Sequence, residues 1–332
     1  MNENNILEIK DLSVIYKTDL ETVKAVNGIN IAIKKKSTFG LVGETGAGKT
    51  TTARSIIRLL PSVGHVTSGT IEFEDRNLLE LPEAEMRLFR GDKIAMVFQD
   101  PMTSLNPVMS VGDQIAETIK IHNPELDKAE VGRRVEATLA MVGILPSRKV
   151  EYPHQFSGGM KQRVIIAMAL ACEPQLLIAD EPTTALDVTI QAQVLMMIKD
   201  LRDRLGTSML MITHDLGIVA KICDDVGIMY AGEIVEAGTV QDIFEGKNHH
   251  PYTEGLFGSI PNLKSKAKRL NAIPGLMPDP TDLPEGCVFA ERCKYAMELC
   301  HKVHPSVATS GTHQLCCHLF NADGSRKEKN HE

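Results

Sequence analysis

The chain has 332 residues, room for about two domains, and its 43% hydrophobic and 24% charged composition is that of a globular protein with a sizeable core. A formal net charge of −7 offers no electrostatic case for nucleic acid or anionic lipid, and the final run Arg326-Lys327-Glu328-Lys329 reads as a frayed tail. No stretch approaches the roughly 18–20 apolar residues of a bilayer crossing, and Met1-Asn2-Glu3-Asn4-Asn5 lacks the basic and apolar regions of a secretory signal, so the expectation is a cytosolic chain with seven reduced cysteines.

From about residue 6 to 240, short β-rich runs alternate with helical patterns, the mark of a mainly parallel α/β sheet. Residues 6–14 alternate apolar and polar and predict an antiparallel edge strand. Thr38-Phe39-Gly40-Leu41-Val42 reads as a strand leading into a glycine loop, with a helix from Thr50 to about Leu60. Ile94-Ala95-Met96-Val97-Phe98 predicts a buried strand ending on Gln99. The charged segment 124–150 reads as helical and forms a helical subdomain with the residues after it, including a buried core helix over 164–172. Leu176-Leu177-Ile178-Ala179 and Met209-Leu210-Met211-Ile212 predict core strands that end on polar residues. Ligands of open α/β sheets sit beyond the carboxyl ends of the strands. After Gly238 prolines and glycines rise (Pro251, Pro261, Pro274, Gly275, Pro278, Pro280, Pro284). The reading is a domain over 1–240 and a smaller, loop-rich one over 241–332.

Gly43-Glu44-Thr45-Gly46-Ala47-Gly48-Lys49-Thr50 fits the P-loop pattern, after a strand and opening a helix. Glycines let backbone N–H groups wrap phosphates, and the helix N-terminus adds partial positive charge. In this reading Lys49 supplies a full charge to the β/γ-phosphates, Thr50 ligates Mg²⁺, and Thr51 donates to the α-phosphate. At the end of the 176–179 strand, Asp180 is placed to hold Mg²⁺ through water and Glu181 to polarise an attacking water. Phosphoryl transfer needs little more than positioning and charge neutralisation.

Phe156-Ser157-Gly158-Gly159-Met160-Lys161-Gln162-Arg163 precedes a helical run. With it the sequence resembles the ABC (ATP-binding cassette) ATPase family, over about residues 6–240. The resemblance implies an ABC-type P-loop NTPase: a RecA-like core, an antiparallel β subdomain and a helical subdomain. It also implies that Ser157, Gly158 and Gly159 contact the γ-phosphate held by an opposing ATPase subunit. Met160 stands where the family more often has Gln, a departure that leaves the phosphate-facing residues intact. By the same resemblance Tyr16 stacks on adenine, Gln99 reaches Mg²⁺ and the water, Ala185-Leu186-Asp187 crosses the dimer interface, and His214 contacts the γ-phosphate.

Gln99-Asp100-Pro101-Met102-Thr103-Ser104-Leu105-Asn106-Pro107, together with His250-Pro251-Tyr252-Thr253 and Leu283-Pro284-Glu285-Gly286-Cys287, resembles the peptide (oligopeptide/dipeptide) and nickel importer branch. That implies an ATP-hydrolysing subunit on the cytoplasmic face of a membrane. Its partners would be two permease subunits, a second homologous ATPase (a heterodimer in the complex, a homodimer alone) and, indirectly, an extracytoplasmic peptide-binding protein. Nickel is the alternative cargo, and a soluble ABC ATPase acting on DNA or ribosomes the alternative class. One cassette, no heptads and an acidic balance speak against the latter.

Five of the seven cysteines fall between residues 287 and 317. Cys287, Cys293, Cys300 and Cys317, in a proline-rich segment with a thin apolar core, suggest a bound metal or cluster. The two short Cys-x₂₋₄-Cys hairpins usual for zinc are absent. The wider spacing suits a [4Fe–4S] cluster of structural role, with Zn²⁺, or reduced thiols or an adventitious disulfide, as alternatives. Cys316 competes with Cys317 for the fourth place, and Cys172 and Cys223 read as core packing.

Overall fold

The structure, a computed structural model, describes residues 3–99, 104–184, 186–259 and 273–327. Of the residues named above, Met1, Asn2, Asp100, Pro101, Met102, Thr103, Ala185, Pro261, Glu328 and Lys329 lie outside them.

Two sheets carry the architecture. Strands β1 (Asn5–Lys17), β2 (Thr22–Lys34), β4 (Gly64–Phe73) and β5 (Arg76–Asn77) form an antiparallel sheet of order β2-β1-β4-β5. The main sheet has eight strands. In spatial order they are β11 (Val307–Ser310), β12 (His313–Cys316), β10 (Glu233–Thr239), β9 (Asp225–Tyr230), β3 (Thr38–Val42), β8 (Ser208–Thr213), β7 (Leu176–Asp180) and β6 (Ile94–Val97). From β9 to β6 the pairings are parallel, and from β9 outward to β11 antiparallel.

β1 is not the edge strand expected of it, because it pairs with β2 on one side and β4 on the other. Alternation along a strand reports its two faces and says nothing about how many neighbours bond to its edges. The continuous apolar runs behave differently. In β7 and β8, Leu176, Ile178, Leu210 and Ile212 enter one core, while Leu177, Ala179, Met209 and Met211 enter the other. Both faces are covered, which is why these strands show no polar alternation.

Ten helices surround the sheets among the described residues: α1 (Lys49–Ile56), α2 (Glu83–Asp92), α3 (Val111–His122), α4 (Lys128–Met141), α5 (Gly158–Leu170), α6 (Val188–Leu205), α7 (Leu216–Ile222), α8 (Val240–Glu245), α9 (Pro251–Gly258) and α10 (Glu298–Lys302). α1 stops short of Leu60; Ile57 is its C-cap and Arg58 turns left-handed at φ 52°. Starts obey local chemistry: Ser110 caps α3 by accepting from the Asp113 N–H (3.1 Å), and Asp127 caps α4 by accepting from the Glu130 N–H (2.7 Å). α3, α4 and α5 bury Val111, Ile115, Val131, Val135, Val164 and Ile166 in one core with the sheet. Cys287, Val288, Phe289, Ala290 and Cys300 belong to that same core and β12 joins the sheet, while Ala308, Leu315, Cys317 and Phe320 form a small cluster of their own.

Candidate nucleotide-binding site

β3 delivers the chain into the glycine loop, and α1 leaves it at Lys49. Side chains are excluded on physical grounds: a Cβ on Gly43 would lie 2.1 Å from the Met229 carbonyl oxygen, and one on Gly48, at φ 105°, 2.4 Å from that of Ala25. No side chain caps α1, which leaves its first N–H groups for an anion. Lys49 is 5% exposed and folds back across the loop, donating to the carbonyls of Gly43 (2.7 Å) and Glu44 (2.9 Å). Burial lowers its pKa, against the opposing pull of Glu181, Asp180 and Glu44.

Three further strand ends meet the loop. At the end of β7, Asp180 is buried and accepts from the Thr50 hydroxyl at 3.2 Å. Burial raises its pKa, with Thr50 and Lys49 acting the other way. A desolvated carboxylate beside a hydroxyl is a poor place for a lone charge and a good one for a cation. Glu181 comes next with a left-handed backbone, φ 46°, a conformation that costs a bulky residue about 1–2 kcal/mol. Its N–H donates to the Ile212 carbonyl of β8 (2.9 Å). One carboxylate oxygen accepts from Gln99, beyond β6 (3.1 Å), and from the Thr184 hydroxyl (3.0 Å), while the other faces His214 Nδ1, beyond β8 (3.1 Å). Burial pushes the Glu181 pKa up, but the bonds with His214 and Thr184, with the His214 and Lys49 charges, outweigh it and hold the group below its ordinary value. Lys49, Thr50, Gln99, Asp180, Glu181 and His214 thus form one cluster. It can neutralise phosphate charge, seat a divalent cation and orient a water.

Tyr16 stands beside that cluster, its hydroxyl 3.0 Å from Thr51 Oγ1. The 157–159 turn belongs to a different neighbourhood. Ser157 caps α5 by accepting from the Met160 N–H (3.4 Å) and Asp187 caps α6 by accepting from the Ile190 N–H (3.0 Å). A Cβ on Gly159 would lie 2.5 Å from Ile190 Cγ2. These two helix starts face each other.

Sequence reasoning missed three contributors. Thr184 holds Glu181. The buried Tyr252 hydroxyl accepts from the Glu44 N–H at 3.0 Å, and Arg292 Nη1 donates to Glu44 Oε2 at 2.9 Å. His250-Pro251-Tyr252-Thr253 stood out in the sequence only as a family marker, and nothing local connects Arg292 to a loop 248 residues away.

The five C-terminal cysteines are free thiols. Cys287 and Cys300 are bridged by a backbone hydrogen bond of 2.7 Å, and Cys317 interacts electrostatically with Cys287, Cys293 and Cys300. Burial pushes the thiols of Cys287 and Cys317 up to about 11 and about 12, while N–H groups two residues on, at Phe289 and Leu319, oppose it. Cys293 repeats the motif, its sulfur accepting from the Tyr295 N–H at 3.4 Å. Cys316 differs: its thiol donates to the Pro305 carbonyl (3.3 Å).

A glycine loop at the carboxyl edge of a parallel sheet, flanked by strand-end carboxylates, is the arrangement of a P-loop NTPase. Residues 26–184 match the model of the ABC transporter family, and residues 235–300 that of the oligopeptide/dipeptide transporter C-terminal region. The chain is 48% identical to the oligopeptide transport ATP-binding protein OppD of Bacillus subtilis, over 97% of this chain and 91% of that one. It is 47% identical to the dipeptide transport ATP-binding protein DppD of the same organism, over 95% and 94%. Among solved structures, the ATP-binding cassette MJ0796, a dimer in a post-hydrolysis state bound to ADP and Pi, superposes with a TM-score of 0.63 at 26% identity, covering 70% of this chain and 98% of that one. The chain belongs to the ABC transporter family, among the ATP-binding proteins of its oligopeptide/dipeptide branch.

Proposed function

We propose that this chain binds ATP with Mg²⁺ between paired cassettes and hydrolyses it to power import of dipeptides or oligopeptides. The observation that carries this is the meeting of Gln99 and His214 on Glu181, and of Thr50 on Asp180, beside the Lys49 that lies across the glycine loop. Loop N–H groups and Lys49 bind the phosphates, and Tyr16 would stack on the base. Thr50, Asp180 and Gln99 would hold Mg²⁺, which when bound supplies charge neutralisation at the β/γ-phosphates. Glu181, kept ionised, accepts a hydrogen bond from the attacking water, and His214 steadies Glu181 and the γ-phosphate. The 157–159 turn and Asp187 face outward to meet the nucleotide of a second, homologous ATPase.

The similarity to OppD and DppD favours peptide over nickel as cargo. It also supports two permease subunits as the membrane partners, with an extracytoplasmic binding protein feeding them. No helix among the described residues is long and apolar enough to cross a membrane, so the permease would anchor the chain at the cytoplasmic face. For the cysteines, Cys287, Cys293, Cys300 and Cys317 are the proposed holders of a structural [4Fe–4S] cluster. The repeated N–H-to-sulfur contacts support thiolate ligation there.

Substituting Glu181→Gln tests the assignment. ATP binding, read by titration with a fluorescent analogue, should persist while turnover falls by about 10²-fold or more. Undiminished hydrolysis would sink it.

A further inference from the structure

The second residue of the glycine loop is an acid. Glu44 carries a carboxylate, with its side chain 32% exposed, into the place where the nucleotide's negative charges arrive. Left free, that carboxylate would repel the phosphates and compete for Lys49, on which it already exerts a pull. It is not free. Arg292 Nη1 donates to Glu44 Oε2 (2.9 Å) and to the Tyr230 hydroxyl (3.3 Å), Nε donates to the Pro274 carbonyl (2.9 Å), and Nη2 to that of Ile273 (3.4 Å). The guanidinium also lies over the Tyr230 ring, 5.6 Å from its centroid, and its side chain is 6% exposed. A cation fixed from this many directions does not swing away when a ligand comes.

A second contact acts on the loop backbone. Tyr252, fully buried against Tyr230 and Phe289, accepts the Glu44 N–H at 3.0 Å and so decides which way that peptide points. The same C-terminal stretch runs on along the loop: a Cβ on Gly46 would lie 3.2 Å from Met277 Cε, and the Pro280 carbonyl accepts from the Lys24 N–H at 2.8 Å.

From this we infer that Arg292 is a positioning residue for nucleotide binding, neutralising and anchoring Glu44 while Tyr252 orients its peptide. The C-terminal segment therefore completes the phosphate loop from outside the cassette motifs. The inference rests on the ATP-binding reading above.

The experiment uses the full chain, with a fluorescent ATP analogue for Kd and steady-state hydrolysis for KM and kcat. Arg292→Met is made in the native background and in Glu44→Gln, each checked by thermal melting. With Glu44 present, losing Arg292 should raise Kd and KM about tenfold and change kcat far less. With Gln at 44 there is no charge to neutralise, and the same substitution should shift Kd by less than about twofold. Arg292→Lys, which keeps the charge without the fork, should fall between. An unchanged Kd in Arg292→Met, or an equal loss in both backgrounds, overturns the inference while ATP binding by the native chain stands. A native chain that binds no ATP removes the parent reading and this one together.

Discussion

Gly48 illustrates how local the phosphate loop's demands are. Its φ of 105° and the Ala25 carbonyl beside it exclude any side chain, and Lys49 can fold across the loop only because that turn is made. Cysteine geometry is local in the same way. At 287, 293 and 317 the N–H two residues on faces the sulfur and pulls toward the thiolate, against the burial that leaves each thiol raised. Cys316 has instead spent its hydrogen on a carbonyl. That contrast supports Cys317 over Cys316 as a ligand. Protein purified anaerobically should then be brown, with broad absorbance near roughly 400 nm that is lost in Cys317→Ser and kept in Cys316→Ser. A colourless chain holding stoichiometric zinc would contradict this.

Among the elements, β10 shows how the C-terminal segment is fastened. Glu236, buried in mid-strand, accepts from His249 Nδ1 (2.9 Å), His313 Nε2 (2.8 Å) and the His250 N–H (2.8 Å), joining β10 to the start of α9 and to β12. Burial pushes its carboxyl up, but these bonds prevail and hold it at about 2. The folded value lies below the ordinary 4.5, so its stabilisation is complete above pH 4.5 and fades as pH falls toward 2. His249, raised chiefly by its bond to Glu236, contributes below pH 6.5 and loses that contribution as pH climbs through its raised value. Buried His250, pushed down to about 4, works against the fold as pH drops from 6.5 toward 4. Removing the acid leaves two histidines facing a neutral acceptor. Glu236→Gln should destabilise the chain by about 3–5 kcal/mol at pH 7 in urea unfolding. The gap to the native chain should narrow below pH 4.5; a gap constant to pH 3 would rule the network out as an acid-sensitive anchor.

At the scale of the whole molecule, residues 243–300 enter a core of the preceding chain, while 308–320 form a small cluster of their own. Phe289, Val288 and Cys287 pack in the same cluster as Tyr230, Val235 and Ile243, and β12 bonds to β10. Segments that share a core unfold together, so calorimetry of the full chain should show one cooperative transition. Two resolved transitions would mean that the cassette and residues 241–332 fold independently. The four-residue strands β11 and β12 were not legible because they are too short for a period-two signal to separate from the surrounding loop. The position of β1 was hidden for another reason: neighbours across an edge are set by sheet order, which alternation does not encode.

What the sequence determined by itself is the phosphate loop and the strands that lead to it. Glycines where φ is positive and apolar runs of four to six residues are short-range facts, enforced by backbone sterics and burial. Even Asp180, Glu181 and His214 were readable, because each stands at the end of such a run. Which residues those groups touch was decided only by the tertiary structure. Glu181 meets Gln99 because β6 lies beside β7, and His214 because β8 lies on the other side. Arg292 meets Glu44 because the chain, after β10, folds back over the loop it left some 190 residues earlier. Contacts of that range depend on how the strands are ordered and on what covers them, and no local pattern carries that information.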